Sequence, residues 1–386
     1  MQAAVRSLLL CAVVFNTFAE AAPQSEQALT KRQANEVVSK LWKQYSKSET
    51  AARRTEIEKG EITIGLRTMP FWFKVFGSKP KGGRSLYISM HGGGATSPGV
   101  NDRQYENQKR LYQPAEGVYF VPRAPTNTWN LWHESHIDDF FQRIIEDMVL
   151  IHDVNPNRVY LMGYSAGGDG VFQLAPRMAD RFAAAAMMAG HPNETTADGL
   201  RNLPFTIHMG ERDSAYNRNA IAKEWETKLS DLHGQDPGGY VHEVTIHKGL
   251  GHWVNRQDAV AVPWMSTFSR QRHPDLIVWK QDDRTHHRFY WLAVKDSQAN
   301  PKAVVRVKHD GQTFEILQSD VETLLIRVND EMINFDQPVR VIYKGQVLFE
   351  GDVIRQRSII EKTFNERHDP SATFSGEIEV TIPQNN

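Results

Sequence analysis

The stretch Arg158-Val159-Tyr160-Leu161-Met162-Gly163-Tyr164-Ser165-Ala166-Gly167-Gly168 decides the fold. Val159 to Met162 reads as a buried strand, and Val171, Phe172 and Leu174 beyond the glycines open a helix. Between them lies a G-x-S-x-G motif, and strand, sharp turn and helix form the context that gives this motif meaning. There the glycines relieve crowding around a strained turn, which lifts the serine hydroxyl above the sheet. The helix that starts at the turn points backbone N–H groups and its positive end toward developing negative charge. Ser165 is therefore the expected nucleophile.

Upstream, His91-Gly92-Gly93-Gly94 closes another strand, Leu86 to Met90. Without side chains these residues let the backbone approach a substrate carbonyl. The N–H of Gly93 can then join that of Ala166 in an oxyanion hole. Downstream, the acid and base are expected in that order. The strand Phe205 to Met209 ends in Gly210-Glu211-Arg212-Asp213, and Val241 to His247 ends in Lys248-Gly249-Leu250-Gly251-His252. Asp213 is the expected acid with Glu211 as its competitor. His252 is the expected base, while His247 falls inside a strand pattern and His91 reads as scaffold. Trp129 and Trp132, in the loop from Pro122 to Ser135, are expected to wall the substrate pocket. The connection from Gly190 to Asn202 is too short to build a helical cap, so an open cleft is expected.

From Glu61 to Met265 short β runs alternate with helical stretches such as Ile137 to His152. That pattern predicts an α/β fold, a mostly parallel sheet with helices on both faces. Ile62 to Leu66 and Phe71 to Phe76 suit an antiparallel entry. Beyond His273 the runs are short and β-rich, Phe289 to Val294 among them, with turn pairs such as Asp310-Gly311 between them. This predicts a C-terminal all-β domain of sandwich type. The expected divisions are 1–22 a signal peptide, 23–60 a helical segment, 61–272 the catalytic domain and 273–386 the β-rich domain.

Arg6, the apolar run Leu8 to Ala19 and the small residues around Ala21 have the layout of a secretory signal peptide. A secreted or periplasmic protein with no stable membrane span after cleavage is expected, with a retained signal anchor as the alternative. Leu8-Leu9-Leu10-Cys11 resembles a lipoprotein site only loosely. Cys11 is the one cysteine of the chain, so cleavage removes disulfide and thiol chemistry together. A net charge of −1 supplies no general field for nucleic acid. The pairs His133/His136 and His286-His287 lack a third ligand at metal-site spacing. No metal or cofactor is expected.

His91-Gly92-Gly93-Gly94, Asn155 to Tyr160 leading into Gly163 to Gly168, Asp213, and Gly251-His252-Trp253 together resemble secreted polyhydroxybutyrate-depolymerase and feruloyl-esterase-type α/β hydrolases. Prolyl-oligopeptidase-like hydrolases are similar in the same stretches. The resemblance covers roughly Gly82 to Trp264 and implies an α/β-hydrolase fold with Ser165, Asp213 and His252 as triad. It also implies Gly93 and Ala166 as oxyanion donors. Depolymerases of this type often carry cysteines near the site, and here there are none. No propeller-like repeats precede the domain. The reading is a serine esterase acting on small or polymeric esters, plant-wall-linked ones among them. A peptidase or amide hydrolase and a catalytically silent binding relative stay open.

Overall fold

The computed structural model describes residues 26–383. The expected signal peptide, residues 1–22, lies outside the described residues. The described residues open with α1 (Lys31–Lys59), held at its start by a capping box between Thr30 and Gln33. There follow β1 (Glu61–Ile64), β2 (Arg67–Phe76), β3 (Arg84–Met90), α2 (Pro98–Gln108), β4 (Gly117–Pro122) and α3 (Ile137–His152). Next come β5 (Val154–Tyr164), α4 (Ala166–Arg177), β6 (Ala184–Met188), β7 (Phe205–Gly210), α5 (Arg218–Gln235), β8 (His242–His247) and α6 (Ala261–Met265).

Strands β1 to β8 form one sheet in the order β1-β2-β4-β3-β5-β6-β7-β8. β1 and β2 enter antiparallel, and from β4 to β8 every neighbouring pair is parallel. β4, β6 and β7 are buried at every residue, as strands covered on both faces must be. On α3, Ile137, Phe140, Phe141, Ile144, Ile145 and Met148 are buried, the stripe their three- and four-residue spacing predicts. The chain order reverses between β3 and β5. Loops diverge there and leave a crevice at the carboxyl edge of the sheet. Parallel register sets Met90 beside Gly163, Tyr164 beside Met188, and Gly210 beside His247. The loops that follow therefore leave from one edge.

Beyond α6 lie β9 (Leu276–Lys280), β10 (Arg288–Phe289), β11 (Leu292–Ala293), β12 (Val304–Asp310), β13 (Thr313–Ser319), β14 (Thr323–Val328), β15 (Val339–Tyr343), β16 (Gln346–Gly351), α7 (Arg357–Asn365) and β17 (Gly376–Thr381). Two sheets result, β10-β11-β14-β17 and β16-β15-β13-β12-β9. Their side chains meet where Trp279 stacks on Phe289 and Trp291 meets Phe314 edge-on. Two expectations need correction. The region is not wholly β, because α7 buries Ile360, Thr363 and Phe364 between two strands. The run Phe289 to Val294 is not one strand either, because Tyr290, at φ 53°, turns the chain into a hairpin.

Buried ions tie this region to the large sheet. Arg177 of α4 donates to Asp138 of α3 at 2.5 Å, and His286 approaches the other carboxylate oxygen at 2.8 Å. Arg270 donates to Asp369 at 2.7 Å and to Asn157 at the start of β5. No helix among the described residues is long and apolar enough to cross a membrane.

Burial alone would raise the Asp138 carboxyl, but Arg177 and then His286 outweigh it and hold it down at about 2. A lowered carboxylate contributes stability above its unfolded value and loses it as pH falls toward the folded one. Asp138→Asn leaves Arg177 buried without its closest countercharge, an expected loss of about 3 kcal/mol at neutral pH by urea denaturation. The gap between variant and parent should narrow as pH falls from about 4 to about 2. An equal gap at both ends of that range would remove Asp138 from the acid response.

Candidate active site

β5 turns into α4 within one residue. That residue, Ser165, sits at φ 59° and ψ −121°, a conformation costing about 1–3 kcal/mol for a side chain with a Cβ. The surroundings enforce it: Ser165 N–H donates to Met188 O, and Asp169 N–H donates to Ser165 O. Gly167 is a steric requirement, since a Cβ there would lie 2.2 Å from Met90 O. Close packing of α4 on β3 thus forces the sharp turn that presents the hydroxyl.

His252 reaches that hydroxyl. Its Nε2 lies 2.9 Å from Ser165 Oγ, and its Nδ1 lies 2.7 Å from Asp213 Oδ2. Asp213 is buried, whereas the His252 ring is partly open to solvent. The carboxylate can hold the Nδ1–H tautomer and leave Nε2 to accept the serine proton. The competing acid Glu211 stands elsewhere, taking the Gly249 N–H on the surface. His247 is buried against His208 and does not approach Ser165. Among the described residues no group of three or more His, Cys, Asp or Glu could hold a metal ion.

The loop after β3 packs directly on the serine. Gly93 adopts φ 120°, and a Cβ there would overlap Asn101 Oδ1. Asn101, wholly buried, clasps this loop by accepting from Gly94 N–H and donating to Gly94 O. The N–H groups of Gly93 and Ala166 find no acceptor among the described residues, and both residues line the cleft with Ser165. His91 is fully buried, and burial pushes its ring down to about 3, so it stays neutral. It accepts from Ala124 N–H through Nε2, which leaves Nδ1 as donor to Gly92 O.

The cleft holds about 330 Å³. Trp129, 59% exposed, stands on its wall. Trp132 does not: it is completely buried, and its Nε1 donates to His91 O at 2.7 Å. The expectation that both tryptophans wall the pocket is corrected for Trp132, which braces the Gly92–Gly94 loop from beneath. Several residues escaped the sequence reading. Tyr216 and Arg218 line the cleft, with the guanidinium stacked 4.8 Å from the Tyr216 ring and 3.8 Å from Asp213 Oδ1. Tyr164 donates its hydroxyl to His252 O and accepts from Val254 N–H, gripping the histidine loop. Its place inside the serine motif was the one available signal.

Residues 121–264 match the model of the dienelactone hydrolase family. The domain has an α/β-hydrolase-like fold. The matched segment contains Ser165, Asp213 and His252. A comparison with curated proteins finds no match to this chain. Among solved structures it is similar to a thermostable esterase at 16% identity and TM-score 0.41, over 55% of this chain and 64% of that one. The chain therefore spans just under two thirds of that esterase. It is also similar to the poly(3-hydroxybutyrate) depolymerase from Bordetella parapertussis at 16% identity and TM-score 0.39, over 53% and 86% of the two chains. A feruloyl esterase module from Clostridium thermocellum gives 12% identity and TM-score 0.39, over 55% and 89%.

The two tryptophans should separate by experiment. Trp132→Ala is expected to cost about 3–5 kcal/mol in urea denaturation. Trp129→Ala should stay within about 0.5 kcal/mol of the parent yet raise KM for bulky substrates. Equal destabilisation by both changes would contradict the division.

Proposed function

We propose that the protein hydrolyses carboxylic esters through an acyl-enzyme, with Ser165 as nucleophile, His252 as base and Asp213 as the acid that orients it. One observation carries this reading: a single imidazole spans Ser165 Oγ and Asp213 Oδ2 at 2.9 and 2.7 Å. As the hydroxyl attacks the ester carbon, its proton passes to His252 Nε2, and Asp213 stabilises the imidazolium. The N–H groups of Gly93 and Ala166 take the oxyanion. The proton then goes to the leaving alcohol, and water repeats the sequence to release the acid and free Ser165.

The cleft supports a bulky substrate. The connection from 190 to 202 contains turns and one short 3-10 helix, Asp198–Leu200, rather than a helical cap. Trp129, Tyr216 and Trp253 are exposed apolar rings on or next to the site. Esters of a polymer or of an aromatic acid suit that rim. Residues beyond 273 act in this reading as a sandwich domain that buttresses the hydrolase through Asp138, Arg177 and His286. The leader at 1–22 directs export.

A fluorophosphonate probe should label Ser165 and leave Ser165→Ala unlabelled. Labelling should fall sharply in His252→Ala, which lacks the base. Asp213→Asn should keep the fold and lower kcat on a p-nitrophenyl ester by about 10⁴-fold. Unchanged labelling in Ser165→Ala would sink the assignment. A crippled Glu211→Gln beside a near-normal Asp213→Asn would move the acid.

A further inference from the structure

A larger cavity, of about 510 Å³, opens at the other end of β5. It is bounded by α1, α3, the start of β5 and the segment after α7. Asn157 on its edge and Ser165 are eight residues apart along an extended strand, roughly 26 Å. The two sites are therefore separate.

Its walls are mostly apolar. Trp42 and Tyr45 of α1 face Val149 and Leu150 of α3, with Pro156 beside them. The Tyr45 ring is fixed by a parallel stack on His368 at 4.0 Å and by donation of its hydroxyl to Glu146. Most charges at the cavity are matched. Lys79 pairs with Asp153, Arg367 with Asp180, Asp369 with Arg270, and His368 with Glu146. Lys81 is exposed to solvent.

Arg181 is the exception. It lines the cavity while only 3% exposed, and its Nε is buried with no partner. No carboxylate lies within 4.0 Å of its guanidinium among the described residues, and the side chain makes no hydrogen bond there. Burial, then Arg367 and Arg270, push the group down to about 9, and the nearby carboxylates of Asp369 and Asp180, each paired in closer contact with another arginine, offset this only in part. A guanidinium taken out of water with no carboxylate in contact is unfavourable, and an anion against it lowers the penalty.

We infer that this cavity binds a small monocarboxylate with an aromatic or aliphatic body, its carboxylate on Arg181 and its body against Trp42 and Tyr45. A buried guanidinium with no carboxylate in contact favours a ligand of one negative charge, and the planar fork of arginine fits a carboxylate through two parallel hydrogen bonds. The volume and apolar walls suit a single small organic acid. The inference draws on none of the chemistry at Ser165.

The probe is 4-phenylbutyrate, with 4-phenylbutanol as its uncharged counterpart, titrated calorimetrically into the full chain after Ser165 has been blocked with a fluorophosphonate. The acid should bind saturably and at least about ten-fold more tightly than the alcohol. Arg181→Met should lose that preference, and Trp42→Ala should weaken both ligands. If Arg181→Met does not fold, the acid–alcohol difference on the parent and its response to Trp42→Ala decide the matter. Equal binding of acid and alcohol, an acid preference retained in Arg181→Met, insensitivity to Trp42→Ala, or binding lost on blocking Ser165 would each overturn the inference.

Discussion

A helix can begin one residue after a strand ends only if its first turn lies flat against the neighbouring strands. The contact between Gly167 and the carbonyl of Met90 meets that demand, and much of the site follows from it. Because α4 lies so close to β3, the intervening residue is driven into a conformation that an L side chain adopts at a cost. The same closeness brings the loop after β3 over the serine. Strand register then delivers the acid and the histidine to the same edge from β7 and β8. Local strain at Ser165 is thus held by packing against β3 and by its bond to Met188 of β6.

Around this constraint the molecule fixes its loops with buried polar side chains. Asn101 clasps the glycine loop from one side, and Trp132 braces it through the carbonyl of His91. Tyr164 holds the histidine loop from within the serine motif. Each bond is modest in net terms, but breaking one strands a buried partner, and that asymmetry keeps such loops in one arrangement. The region beyond α6 is attached by the same device at larger scale. Arg177, Asp138 and His286 join α3, α4 and the approach to β10 in one buried network.

The large sheet was legible because its strands alternate with helices and end in turn residues, and α3 because its apolar stripe is wide. Ser165, Asp213 and His252, which the folded chain brings within hydrogen-bonding reach of one another, stood out because each follows a strand. Other features left weak traces. α5 buries only Ala222, Trp225 and Leu229, too narrow a stripe to stand out. α7 sits among β runs and owes its burial to tertiary packing. Trp129 and Trp132 lie three residues apart in an irregular loop, where no periodicity tells wall from scaffold. Asn101 and Arg181 are polar, so hydropathy assigns them to the surface, and only the folded chain reveals both as buried.

The packing of α1 reaches into the order of events during synthesis. One flank of this helix rests on α3. The other, through Ala34 and Val37, closes on Ile360 of α7, almost the whole length of the chain away. At about 5–20 residues per second, α1 leaves the ribosome roughly a quarter of a minute to a minute before α7 does. Closing so long a loop adds an entropic cost to the delay. The first helix among the described residues is therefore among the last to be locked in place, and until then its second flank has no native partner.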